Sequence, residues 1–187
     1  MDPFDSLAGQ FLIAMPGMDD PSFTHGVTLL CQHNEDGAIG LLVNRPAEFH
    51  LGDVLEQMQI ACELDDINRM PVLQGGPVQT ERGFVLHDGA RQFDASYRIN
   101  PHWSVTTSRD ILAAIAVGEG PDNIVVTLGY AGWEAGQLDE EIKANAWLTV
   151  DADSRIVFDT PVEDRWSAAA GLVGIDVAQL AGYAGHA

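Results

Sequence analysis

The sequence predicts an α+β, or mixed α/β, fold. Three observations carry that expectation. Several short runs alternate apolar and polar residues with period two, as half-buried strands do. Others repeat apolar residues at i, i+3, i+4 and i+7, as amphipathic helices do. The two kinds follow one another irregularly, with two predicted hairpins, unlike the strict strand–helix alternation of a doubly wound parallel sheet. The 187 residues, 46% apolar and 20% charged, suffice for a sizeable core, and one domain over residues 1–187 is expected.

GQFLIAM (9–15) reads as a buried strand stopped by Pro16-Gly17, and MDDPSF follows as a turn. In HGVTLLCQHNEDGAIGLLVNRP, Val27, Leu29 and Cys31 alternate with Thr28, Leu30 and Gln32, and Ile39, Leu41 and Val43 alternate likewise. Asp36-Gly37 between them supplies the positive φ of a tight hairpin. Leu41-Leu42-Val43 is apolar on both faces, so that strand belongs to the middle of a sheet. Asn44-Arg45-Pro46 ends it. LGDVLEQMQI (51–60) carries apolar residues at helical spacing, at Leu51, Val54, Leu55 and Met58. PVLQGGPV holds a short strand and a Gly-Gly-Pro turn, and RGFVLHDG a further strand. Residues 90–102 have no clean period and read as loop with at most a short strand. WSVTTSRDILAAIAVGEGP is a strand running into a helix, with Thr107 or Ser108 as cap and Gly118 and Gly120-Pro121 as its stop. NIVVTLGYAG is an apolar, β-branched strand whose glycines mark its end. GQLDEEIKANAWL then reads as a helix with Leu138 and Ile142 facing inward. WLTVDADSRIVFD reads as the second hairpin, turning at Asp151–Ser154. EDRWSAAAGLVGI is a last helix, and DVAQLAGYAGHA a short helical turn with a tail of small residues.

The charge excludes more than it assigns. Nine basic against 28 acidic residues give −19. Nucleic acid binds through clustered Lys and Arg that displace counterions, and here the mean field repels a phosphate backbone. Arg69, Arg82, Arg91, Arg98 and Arg109 share one span, but Glu81, Asp88 and Asp94 are interspersed, which fits solvated salt-bridging arginines better than a binding patch. No run approaches the roughly 20 apolar residues of a membrane helix. The N-terminus lacks the basic n-region of a signal peptide. Cys31 and Cys62 form neither a CxxC pair nor a disulfide framework. A cytoplasmic protein without cofactor or metal is expected.

No catalytic motif stands out. The chain has no GxGxxG opening a helix, no P-loop, no GxSxG elbow and no zinc spacing. His33 with Glu35 and Asp36 offers metal donors, but hairpin turns are polar anyway. His87-Asp88 are neighbours on a strand and point to opposite faces. Gly75-Gly76-Pro77 reads either as an anion-binding backbone nest or as a tight turn admitting two backbones. Proline supplies no amide, which favours the turn. Asp139, Glu140 and Glu141 lie about 100° apart around a helix, so they fan out. Acids in a first turn also favour the helix dipole, and no catalytic residue is assigned.

Four segments, GQFLIAMPGMDDPSF, LLCQHNEDGAIGLLVNRP, GGPV with RGFVLH, and GYAGWEAGQLDEEIKANAWL, together resemble the bacterial AlgH/YqgE family. The resemblance runs nearly end to end. Thr24-His25-Gly26 stands where members often carry Arg-Ser, so that arginine's role does not transfer. The resemblance implies a compact barrel-like or bifurcated β-sheet surrounded by helices. It implies no enzyme activity. One member is named as a regulator of alginate production, so a transcription-linked role is implied as well. With no helix-turn-helix and a charge of −19, regulation through a protein partner fits better than DNA binding. The first expectation is therefore a non-enzymatic regulatory or interaction protein. The second is a small-ligand binder or enzyme of unknown class. Its ligand or partner surface would gather Asn44, Arg45, Gly75, Gly76, Trp133 and Gln137 on loops held by strands. There Arg45 could pair an anion and Trp133 stack on a ring, unless Trp133 is core. Direct nucleic-acid binding through Arg69–Arg109 ranks third.

Overall fold

The computed structural model describes residues 6–16, 20–21, 23–89 and 91–174. Ten strands join in one sheet: β1 (Gln10–Ala14), β2 (Val27–Asn34), β3 (Gly37–Leu42), β4 (Pro46–His50), β5 (Pro71–Gln74), β6 (Val78–His87), β7 (Ser96–Asn100), β8 (Trp103–Thr106), β9 (Ile124–Glu134) and β10 (Trp147–Asp151). The main path runs β10-β1-β2-β3-β9-β6-β8-β7, with β5 beside β9 and β4 beside β5. The β5–β9 pair is parallel and the others are antiparallel. The sheet curls into a half-barrel, the mixed architecture that the element pattern implied. Six α-helices accompany it among the described residues: α1 (Leu51–Gln57), α2 (Asp65–Asn68), α3 (Arg109–Ala116), α4 (Gln137–Lys143), α5 (Ser154–Phe158) and α6 (Arg165–Leu172). Among these residues no helix is long and apolar enough to cross a membrane.

Period-two alternation places the central strands between two cores, whereas β4 and β7 carry no buried residue. Inside the curl, Phe11, Ile13, Leu29, Leu41, Leu86 and Val105 meet Val157, Trp166 and Ala169 from α5 and α6. On the outer face, Val72, Val85 and Val126 meet Leu51 and Leu55 of α1 and Ile111, Leu112 and Ile115 of α3. A third cluster, with Leu12, Leu30, Trp133 and Trp147, is capped by Leu138 of α4. Full burial of each such large side chain is worth about 1.5–3 kcal/mol.

The β2–β3 hairpin forms as read, with Asn34 opposite Gly37 and a positive φ of 138° at Gly37. The helices read at 51, 109, 137 and after 162 are present.

Two readings need correction. The predicted second hairpin is a strand followed by a helix. β10 pairs with β1, and Asp153 caps α5 by accepting from Arg155 N at 2.9 Å. Ile156 and Val157, strand-like in sequence, fill the inner core from that helix. The strand read as ending at GYAG continues to Glu134, because Ala131–Glu134 pair with Gly37–Gly40. The short strand allowed for in the stretch 90–102 is present as the five-residue β7, paired with β8. The elements β4 and α2 were not foreseen. The C-terminal helical turn read at DVAQLAGYAGHA lies outside the described residues.

One buried cation ties helix to sheet. Arg165 is 7% exposed, donates from Nη1 to Val43 O at 2.6 Å and from Nε to Thr160 O at 3.0 Å. Burial pulls its pKa down, with Glu163 opposing. The contact fastens α6 to the residue after β3. In sequence, EDRWS had read as an ordinary charged helix start.

Candidate functional site

The six residues singled out in the sequence fall into two groups. Asn44 and Arg45 hold the segment before β2. Asn44 Oδ1 accepts from Val27 N at 2.9 Å and its Nδ2 donates to His25 O at 2.8 Å. Arg45 donates from Nη1 to Pro21 O at 2.7 Å and from Nη2 to Thr24 O at 2.5 Å. Main-chain bonds Leu42 N to Gly75 O and Gln74 N to Arg45 O bring Gly75 beside them. Gly75 and Gly76 press on β9, where a β-carbon on Gly76 would overlap the Tyr130 carbonyl.

Trp133 and Gln137 form the second group, around Glu141. Glu141 Oε1 accepts from Trp133 Nε1 at 3.2 Å and Trp147 Nε1 at 2.9 Å, and Oε2 accepts from Gln137 Nε2 at 2.9 Å. Trp133 is only 6% exposed. The cleft lined by Gly76 and the depression lined by Trp133 share no residue.

The histidines are committed elsewhere. His33 is buried. Its Nδ1 accepts from Leu7 N at 3.0 Å and its Nε2 lies 3.3 Å from Asp139 Oδ1, while Glu35 and Asp36 stay exposed on the turn. No group of three metal-binding side chains occurs among the described residues. His87 and Asp88 diverge as the strand geometry requires. Asp88 Oδ2 accepts from Asn123 Nδ2 at 2.8 Å.

His87 Nε2 is 2.8 Å from Thr106 Oγ1, which is 2.6 Å from Ser96 Oγ, which accepts from Phe93 N at 2.7 Å. Donors and acceptors match in one direction: Phe93 N–H to Ser96, Ser96 O–H to Thr106, Thr106 O–H to His87 Nε2. His87 Nδ1–H then donates to Asp88 O at 3.1 Å. That tautomer is assigned from the network. The pair resembles a base and hydroxyl nucleophile, but His87 and Thr106 are fully buried, with Thr106 behind one wall of the cleft described below.

Burial lowers the His87 pKa, with Asp88 opposing and Arg91 reinforcing. The unfolded chain therefore takes up a proton near the ordinary value of 6.5 that the folded chain refuses. The stabilisation is present above that value and is lost as pH falls through the lowered one. The urea midpoint should therefore drop on acidification from about pH 7.5 to about 5.5. His87→Asn should show a shallower drop from a lower starting midpoint. Equal slopes in both proteins would remove His87 from the account.

Among the described residues, a large recess lies on the outer face of the sheet. The register of β6 with β9 breaks between Val78 and Gly83, where residues 79–82 bulge outward and Gln79 takes a φ of 47°. The bulge leaves a cleft of about 640 Å³ between β6, β8 and β9 on one side and α1 with β4 on the other. Its floor is Val85, Val126 and Leu128. Thr106, Thr107 and Ser108 form one wall, and Phe49 and Met58, 51% and 37% exposed, stand at its sides. Its ionisable lining is Asp53 and Glu81. Gly76 and Gln74 also line it, so the Gly-Gly turn reaches a recess that sequence reasoning did not see. A partial signal existed: Val54 and Met58 extend the apolar stripe of α1 past its buried part. Another depression beyond α1, lined by His50, Cys62 and Arg69, is more open, at about 560 Å³.

Three of the five arginines of the 69–109 span, Arg82, Arg91 and Arg109, are tied locally. Arg109 donates to Met58 O and Gln59 O at 3.2 and 3.4 Å. Arg91 reaches Glu119 O and covers the Phe93 ring at 4.7 Å, and Arg82 lies 5.3 Å from the Phe84 ring centre.

Comparison with known proteins agrees with this architecture. The sequence profile of the AlgH-like family matches residues 11–178. A UPF0301 protein of Xanthomonas campestris pv. campestris is 53% identical over 181 residues, covering 97% of this chain and 96% of its own length. A UPF0301 protein of Xanthomonas oryzae pv. oryzae is 52% identical over the same shares. The solution structure of the AlgH protein from Pseudomonas aeruginosa matches with a TM-score of 0.81 at 46% identity, covering 97% of each chain. A crystal structure of a Corynebacterium diphtheriae protein, 20% identical, shares the fold with a TM-score of 0.71 over 90% of this chain and 87% of its own. With its profile, its sequence and its fold all in agreement, the chain belongs to the AlgH-like, UPF0301 family.

Proposed function

We propose that this chain is a cytoplasmic, non-enzymatic regulatory or interaction protein whose effect on a protein partner is set by a small ligand held in the outer cleft. The observation that carries the reading is the cleft itself. Its volume of about 640 Å³ lies in the range of ligand sites, about 300–1,000 Å³. An apolar floor with a few hydroxyl and amide groups is the usual composition of such sites. The non-enzymatic half rests on the burial of the base–hydroxyl pair described above, His87 and Thr106, both 0% exposed. Two free cysteines suit a reducing compartment. The local partners of Arg82, Arg91 and Arg109 and the charge of −19 weigh against direct binding to nucleic acid.

Gly83 provides the test, because a β-carbon there meets nothing within 4 Å and the residue lines the cleft. Gly83→Leu should fill the cleft and keep the fold. A fragment screen followed by amide NMR should perturb Val54, Val85, Thr107 and Leu128 in the wild type, and Gly83→Leu should lose those responses. Binders that map elsewhere, or that bind the variant equally, would refute the reading.

A further inference from the structure

We infer that the ligand of the outer cleft is a small organic cation, an ammonium group carried on an apolar body. This rests on the ligand-cleft reading above and names the chemistry of its occupant. The charges around the cleft are one-sided. Asp53 and Glu81 line it and no lysine or arginine does. Neither carboxylate has an ion-pair partner among the described residues. Asp53 Oδ2 accepts from His50 N at 2.9 Å at the start of α1, which leaves its second oxygen available. Glu81 stands on the exposed bulge of β6 with no side-chain bond of its own among the described residues.

One nearby group favours an anion, and it is already answered. The N-terminal end of α3, beside Thr107 and Ser108, carries the positive end of a helix dipole. Asp110 neutralises it: Oδ1 accepts from Ile111 N at 2.9 Å and from the Ser108 hydroxyl at 2.5 Å, and Oδ2 accepts from Asp94 N at 2.8 Å. Arg109 does not line the cleft, and its Nη2 donates to the Met58 and Gln59 carbonyls. An anion entering the cleft would leave water to face carboxylates. A cation would lose water and find them. The floor of Val85, Val126 and Leu128 excludes a bare hydrated ion and demands an apolar body. The half-exposed Phe49 ring offers a further face for a cation. The net charge of −19 raises the local concentration of any cation near the surface.

Three probes of nearly one shape separate the possibilities: 2-phenylethylammonium, 2-phenylethanol and 3-phenylpropanoate. Each is titrated into the full chain and followed by amide NMR. The ammonium should bind about fivefold tighter than the alcohol, the size of one exposed charge contact, and the carboxylate should bind weakest. Raising salt should erase the ammonium's advantage. Glu81→Gln, on an exposed side chain, should lose most of that advantage and leave alcohol binding unchanged. Flat or reversed order, with shifts still in the cleft, overturns the cation and leaves the ligand-cleft reading standing. No response in the cleft to the ammonium overturns the inference. If the fragment screen also finds no binder there, the reading beneath it falls too.

Discussion

Gly76→Ala should lower stability by roughly 3–5 kcal/mol, enough to threaten folding of the whole chain. A β-carbon at this position would sit inside the contact radius of the Tyr130 carbonyl and the Ala131 nitrogen. Those atoms are backbone of the central strand, which is paired on both sides and cannot retreat. The residue also holds a φ of 155°, which L side chains resist. A β-carbon on Gly75 next to it would meet the same strand at Gly129 O and, at 2.9 Å, Thr127 Oγ1. The glycines thus let the β5 end and β9 approach. Gly136→Ala is the control. Gly136 also has a positive φ, 75°, but a β-carbon there meets nothing within 4 Å, so its cost is conformational, about 1 kcal/mol. Urea unfolding separates the two by midpoint at constant slope. If both variants lost the same small amount, close approach would not explain Gly76, and an anion-binding turn would again be the better account.

The same strand shows why parts of the fold were legible in sequence and parts were not. The β2–β3 hairpin needs only its own residues: alternation on each side and a glycine where φ turns positive. Helices at Leu51 and Arg109 carry their apolar stripe within one segment. These features are local, and the sequence displays them directly. GYAGWE misled because its glycines look like a turn. They serve pairing with β3 and contact with β5, both distant in the chain. Ser154–Phe158 misled in the opposite sense. Ile156 and Val157 favour strands by propensity, yet Asp153 caps a helix and the inner core accepts them from it. The cleft was invisible for the same reason as the β9 extension. It exists because four residues of β6 bulge against one of β9, with walls supplied by α1, β4 and the start of α3. None of the six residues chosen from the sequence except Gly76 lines it. Arg165 was hidden too, since a charged residue at a helix start gives no sign that it will end against Val43 O.

Trp133→Ala should cost about 3–5 kcal/mol, and its consequences decide what this tryptophan is for. The ring stacks on Phe23 with centroids 6.0 Å apart and meets Trp147 edge-on, also at 6.0 Å. Phe23 and Trp147 close the triangle at 5.5 Å. Across the strand pair it lies opposite Ala38, a small residue that leaves room for the indole. Glu141 then takes both indole N–H groups, and Gln137 links that carboxylate back to Glu134 N at 2.9 Å. The acids that open α4 are therefore not interchangeable: Glu141 points inward as an acceptor, whereas Glu140 pairs with Lys143 on the surface at 3.6 Å. Trp133→Phe should keep most of the packing and lose one hydrogen bond, for about 1–2 kcal/mol. Glu141→Leu should leave two indole donors unsatisfied and cost more than Trp133→Phe. In a double-mutant cycle the two changes should couple, because each removes the other's partner. A ligand platform behaves differently. Trp133→Ala would then leave the urea midpoint almost unchanged and abolish binding, and no coupling to Glu141 would be seen. The burial of the ring, its two aromatic neighbours and its shared acceptor all make stability the quantity that changes.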